Sequence, residues 1–158
     1  MIKHKPLKFI VKAQREMMDF THPLPWMWIS ISGPGEMLSI FGKNHDNCIK
    51  KINLEFHDMD DRFKDMSKKY PSSATGQKIV LFNDDMAKHV VKVVREIIKE
   101  TDIDTIVCQC HAGISRSSGM AAALSYCING YDNEYFNSKI YIPNRLVYRK
   151  ILNAWHDM

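Results

Sequence analysis

Apolar positions recur along this chain in two rhythms. Leu7 to Val11 is a short β-favouring run, and Ala13 to Phe20 reads as one or two helical turns. His22-Pro-Leu-Pro25 breaks that pattern. Trp26 to Ser32 (WMWISIS) is aromatic and β-branched, the composition of a buried strand, and Gly33-Pro34-Gly35 stops it. Ile52 to Phe56 alternates apolar and polar positions, as a half-buried strand does. The acidic segment His57-Asp-Met-Asp-Asp61 follows, and residues 62–77 are polar around Tyr70-Pro-Ser-Ser-Ala-Thr-Gly76. Asn83 is placed to cap a helix whose first turn holds Asp84 and Asp85. Ala87, Val90, Val91, Val94, Ile97 and Ile98 then recur at helical spacing to about Glu100. Thr105 to Cys108 is a compact strand, Ser117 to Ile128 a helix stopped by Gly130, and Asn144 to His156 a helix opened by Pro143. Strands interleaved with helices predict an α/β fold, a central mixed or mostly parallel sheet flanked by helices.

Composition narrows this picture. At 158 residues the chain is expected to form one compact domain spanning 1–158, with no internal repeat. It is 45% apolar and 25% charged, with a mean hydropathy of −0.30, which excludes a disordered or collagen-like chain. The net charge of +4 tolerates an anionic substrate but is not the concentrated basic surface of a nucleic-acid binder, so no nucleic-acid partner is expected. No run reaches the roughly 18 apolar residues of a spanning helix. The apolar stretch of Met1 to Val11 is too short for a signal peptide. The cysteines at 48, 108, 110 and 127 do not form a disulfide framework, so they are expected reduced, in a cytoplasmic setting with no membrane association.

The chemistry concentrates in Cys108-Gln-Cys-His-Ala-Gly-Ile-Ser-Arg-Ser-Ser-Gly119. A loop between a buried strand and a helix aims backbone N–H groups and the positive helix end at whatever fills its mouth. Cys110 begins that loop, and a thiol facing such donors has its thiolate stabilised. Arg116 supplies a two-pronged donor matched to two oxygens of a phosphoryl group. Gly113 permits a tight backbone curl. The bare Cys-x5-Arg spacing is a weak signal; Gly113, Ser115, Ser117 and the strand–loop–helix setting strengthen it. Cys108-Gln-Cys110-His111 lacks a second Cys/His pair at ligand spacing, so no metal site is expected. Cys48, Cys108 and Cys127 read as core residues, Trp26 and Trp28 as packing. Lys43, Lys50, Lys51, Lys64, Lys68 and Lys69 read as solvated, with Lys68-Lys69-Tyr70 a tip able to meet an acidic substrate. The remaining histidines suggest no partner.

Cys110-His-Ala-Gly-Ile-Ser-Arg-Ser117 resembles the signature of cysteine-dependent protein tyrosine phosphatases, Cys-x5-Arg-Ser/Thr, and Ala112 to Ser117 resembles the dual-specificity branch in particular. The likeness extends upstream, where the strand ending in His57-Asp58 is similar to the one that delivers that branch's general acid. It covers roughly residues 26–155, with the specific motif confined to about eight positions. Low-molecular-weight phosphatases place the same signature near the N-terminus with the acid downstream, unlike this order.

The resemblance implies a phosphomonoester hydrolase working through a cysteinyl-phosphate, with no cofactor and no metal. Cys110 is the implied nucleophile, and the backbone of His111, Ala112, Gly113, Ile114, Ser115 and Arg116 with the Arg116 side chain is the phosphate-binding loop. Ser117 donates to the leaving sulfur, and Asp58 is the implied general acid, with Asp60 the alternative. Asp61 reads as a solvated carboxylate, and residues 62–77 as a lid or a surface insertion. The implied partner is a phosphorylated protein, phosphotyrosine foremost, because inositide-directed relatives more often carry lysines inside the loop. The oligomeric state stays open. One departure stands out: the family places His before the nucleophile, and this chain has Gln109. An amide can donate a bracing hydrogen bond but carries no charge, which implies a less acidic Cys110 and activity reduced rather than lost. A phosphoresidue-binding module without turnover and an oxyanion-handling enzyme such as an arsenate reductase are the alternatives, the latter needing a relay cysteine that the sequence does not supply.

Overall fold

The computed structural model describes residues 6–36, 39, 40, 42, 44–59 and 79–158. Four strands, β1 (Lys8–Ala13), β2 (Trp26–Ser32), β3 (Cys48–Glu55) and β4 (Thr105–Cys110), form one sheet in the order β1-β4-β2-β3. Every described pairing is parallel, so the expected mixed or mostly parallel sheet is parallel throughout its described part. The central strands β2 and β4 are buried along their whole length, which explains their mainly apolar sequences, with Ser30, Ser32, Thr105 and Gln109 as buried polar exceptions. The edge strand β3 begins at Cys48, earlier than alternation suggested, because Lys50 and Lys51 lie on the edge. β4 likewise runs on to Cys110, so the cysteine ends the strand rather than starting the loop.

The α-helices among the described residues are α1 (Asp84–Glu100), α2 (Arg116–Asn129), the single turn α3 (Asn133–Phe136) and α4 (Arg145–Asp157). Asn83 caps α1 as its sequence predicts, its Oδ1 accepting from Met86 N at 2.9 Å. Ala87, Val90, Val91 and Val94 of that helix are buried against Met27, Ile29 and Ile31 of β2 and Ile106, Cys108 and Cys110 of β4, in one cluster with Met120 to Leu124 of α2 and Val147 and Ile151 of α4. Arg95 ties α1 to the end of α4, donating to the carbonyls of Trp155 (2.6 Å) and Met158 (2.9 Å).

The opposite face of the sheet carries a smaller core. Trp26, Trp28 and Val107 point there and meet Met17, with Phe20 and Cys48 packed alongside. The predicted helical turns after β1 reduce to a 3-10 turn at Gln14–Glu16, which delivers Met17 to that core. His45 stands edge-on to both tryptophans and bonds Met17 O through Nε2 at 2.6 Å. Lys51, expected in solvent, is half-buried with Nζ 4.1 Å from the Trp28 ring centroid; loss of water lowers its pKa. Among the described residues, no helix is long and apolar enough to cross a membrane.

Candidate active site

Open parallel sheets leave their ligand crevice at the carboxyl ends of the strands, and Cys110 is the last residue of β4. The chain turns directly from there into α2 through residues 111–115. Gly113 makes the turn with φ +71°, a region that disfavours side chains. A Cβ there would stand 2.7 Å from Ala13 N, so β1 backs the loop closely. Gln14 N also donates to His111 O at 3.1 Å. The curl brings Gly113 N to 3.3 Å from the Cys110 sulfur, and the first turn of α2 brings Ser117 Oγ to 3.0 Å. Ser117 is fully buried, so that contact is shielded from water.

Arg116 opens α2 and is 8% exposed, its Nη1 donating to Phe56 O at 3.0 Å just beyond β3. Ser115 occupies the N-cap position yet makes no side-chain cap. Its Oγ donates to Asp58 Oδ1 instead, at 2.8 Å. Asp58 therefore sits on the rim of the loop, brought by the turn that follows β3. His57 fixes that turn: its backbone N donates to Val80 O at 2.8 Å and its Nδ1 accepts from Val80 N at 2.9 Å. His57 thus has a partner that its sequence context did not reveal.

Asn144, like its neighbour Arg145, is a site residue that sequence reasoning missed. It reads as the start of a helix, and its Oδ1 does cap α4, accepting from Val147 N at 3.0 Å. Its amide also donates to Asp58 Oδ1 (2.9 Å) and Met59 O (3.0 Å), while its backbone N donates to Ser115 O at 3.0 Å. One buried residue thus joins the turn after β3, the loop after β4 and α4. Gly119 makes room for it, since a Cβ there would lie 2.6 Å from Asn144 O. The one available signal was an N-cap residue type after Pro143; its reach across 86 residues to Asp58 was not legible.

Cys110, Arg116, Asp58, Ala112, Ile114 and Ser115 line one cavity of about 670 Å³, closed on its far side by Ile142, Pro143, Asn144 and Arg145. The structure thus brings Asp58 together with the loop. Asp60, Asp61 and residues 62–77, with Lys64, Lys68, Lys69 and Tyr70, lie outside the described residues, as does Lys43. The expectation for Gln109 needs correction. Its Oε1 accepts from Trp28 Nε1 (3.1 Å) and Ser30 Oγ (2.8 Å) on the opposite face of the sheet. The indole can only donate, which fixes the amide orientation. Gln109 Nε2 is buried with no hydrogen-bond partner among the described residues, and no described bond from the amide braces the loop.

The other cysteines differ from one another. Cys108 is fully buried, but Cys48 and Cys127 are only half-buried rather than core. Desolvation pushes Cys48 and Cys127 up to about 11 and Cys108 higher still. A thiol of pKa about 11 is thiolate in only about one molecule in ten thousand at pH 7. Iodoacetamide at pH 7 is therefore expected to place one label per chain, on Cys110, and inorganic phosphate is expected to slow it. Labelling of Cys48 and Cys127 at a comparable rate, read by peptide mass spectrometry, would contradict this.

Compared with protein-family models, curated proteins and solved structures, the chain finds no match. A functional reading therefore stands on the chemistry of the site.

Proposed function

We propose that this protein is a cysteine-dependent phosphomonoester hydrolase of the protein tyrosine and dual-specificity phosphatase type, with phosphotyrosine in proteins as its foremost substrate. The single observation that carries the reading is the surroundings of one sulfur. Cys110 Sγ faces a loop amide and a buried hydroxyl, in one cavity with a guanidinium and a carboxyl group. Strand, loop and helix follow in the order the resemblance implies.

The chemistry then divides into two displacements. The Cys110 thiolate attacks phosphorus, an S–P bond forms, and the ester P–O bond breaks. Arg116 and the loop amides hold the three equatorial oxygens, over which charge is spread in the transition state. Asp58 gives a proton to the leaving oxygen. Its Oδ1 is committed as acceptor to Ser115 and Asn144, so Oδ2 is the atom free to carry that proton. In the second step Asp58 takes a proton from water, the water oxygen attacks phosphorus, and the S–P bond breaks with Ser117 Oγ donating to the departing sulfur. The products are the alcohol and inorganic phosphate.

Asp58→Asn tests this division of labour. Loss of a general acid costs about 10²–10⁴-fold. The loss is expected to be largest for phenyl phosphate, whose leaving group needs the proton, and smallest for an aryl ester with a strongly acidic phenol. Equal loss across the series of esters would remove Asp58 from the acid role. Absence of turnover by the wild-type chain on every ester would reject the enzyme reading. The second reading, phosphoresidue binding without turnover, is favoured by the unbraced Gln109, and retained phosphopeptide binding in a turnover-free wild type would support it.

A further inference from the structure

The cavity holds more than the proposed catalytic groups need. At about 670 Å³ it falls within the range of roughly 300–1,000 Å³ that accommodates ligands much larger than a phosphoryl group. Its wall opposite the loop comes from residues 142–145. Ile142 N donates to Ile114 O at 3.1 Å, which fastens that wall to the anion loop. The two isoleucines are nonetheless exposed, Ile142 at 67% and Ile114 at 39%. Together with Pro143 they form an apolar rim above a polar floor, the profile of an aromatic ring carrying a phosphoryl group.

Arg145 is the second unusual feature of that wall. It is exposed, opens α4 and lines the cavity, with its guanidinium carbon 5.6 Å from the Phe136 ring centroid. The first turn of a helix disfavours a cation, and α4 has no acidic residue there to offset it. Among the described residues, none of the ion pairs involves Arg145. The cavity therefore presents two guanidinium groups, the buried Arg116 on its floor and the exposed Arg145 at its mouth.

Resting on the phosphatase reading, we propose that Arg145 determines specificity by binding an acidic side chain adjacent to the phosphotyrosine, whose ring lies between Ile114, Ile142 and Pro143. An inositol phosphate offers anions but no aromatic face for this rim, so the peptide is the occupant the rim selects. The planar fork of Arg145 suits a carboxylate, and its exposed position makes the contact sensitive to salt.

The test uses three phosphotyrosine pentapeptides: one with alanine on both sides, one with glutamate before the phosphotyrosine, and one with glutamate after it. The wild-type chain is expected to show about a tenfold higher kcat/KM for one acidic peptide over the neutral one, a ratio that shrinks in 0.5 M salt. Arg145→Ala brings the ratio near one, Arg145→Glu inverts it, and Arg145→Lys keeps part of it. The same ratio read as Kd on Cys110→Ser measures the subsite without turnover. A silent wild-type enzyme therefore rejects the phosphatase reading while the binding ratio still judges Arg145. A ratio near one in both assays, an unchanged ratio in Arg145→Glu, or faster turnover of an inositol polyphosphate than of any peptide overturns the proposal.

Discussion

Cys110→Ser is expected to lower kcat on an aryl phosphate by roughly 10⁴-fold or more, the scale on which loss of an enzyme nucleophile acts. That corresponds to about 5 kcal/mol of barrier. A serine hydroxyl in the same place is barely ionised at neutral pH, so the donors that hold a thiolate have no anion to hold. The change is otherwise mild. Ser is slightly smaller, the position is buried at the end of β4, and Ser117 Oγ remains 3.0 Å from the replaced atom as a hydrogen-bond partner. The melting temperature is therefore expected to stay close to that of the wild type, and phosphopeptide binding to survive. An unfolded variant would make the lost turnover meaningless, so circular dichroism belongs with the assay. Substantial turnover by a folded Cys110→Ser chain would refute the account.

Arg116→Lys has the second largest expected effect, a fall of roughly 10³-fold, because it removes two aligned donors to the transferring group. The charge is kept, which makes the substitution informative: a point charge on a flexible stem cannot span two equatorial oxygens. Those oxygens carry most charge in the transition state, so kcat is expected to fall far more than KM rises. A second consequence comes from burial. Arg116 is 8% exposed and its Nη1 is bound to Phe56 O, so the guanidinium also pins the chain leading to Asp58. Arg116→Lys is accordingly expected to weaken the leaving-group dependence that Asp58 supplies. Activity within tenfold of wild type would show that the loop amides suffice without the fork.

Much of the fold was legible where one side chain pattern decided one local structure. Asn83 and the spacing of Ala87 to Val94 specified α1 without help from distant residues. The central strand β2 also declared itself, because burial on both faces leaves a run dominated by aromatic and β-branched residues. Legibility failed where tertiary contacts overrode local pattern. Gln109 interrupts the apolar run of β4, yet it is buried because Trp28 and Ser30 across the sheet satisfy its carbonyl. That is why the strand was expected to stop at Cys108. α3 is a single turn with no period to detect, and only burial of Tyr135 reveals it as part of the core.

The site divides in the same way. Cys110, Gly113 and Arg116 are close in sequence and share one local loop, so their spacing together with the strand–loop–helix setting pointed to them. Asp58 was placed by the strand that ends just before it. Asn144 and Arg145 were invisible as site residues, because Pro143-Asn144 at a helix start needs no further explanation. Their place at the cavity emerges only once α4 packs against α2 and turns its first residues toward the loop. Gln109 went wrong for the complementary reason: position in a motif suggested a brace, whereas the pleat of the strand sends its side chain to the other face.

The central claim is that phosphate passes through the sulfur of Cys110. Rapid quenching of a turnover reaction with a phosphorus-labelled aryl phosphate, followed by peptide mapping, examines that claim most directly. The account predicts at most one labelled phosphoryl group per chain, on the peptide containing Cys110, formed before free phosphate appears and absent from Cys110→Ser. Turnover with no labelled enzyme under any quench condition, or label on a peptide without Cys110, would contradict it.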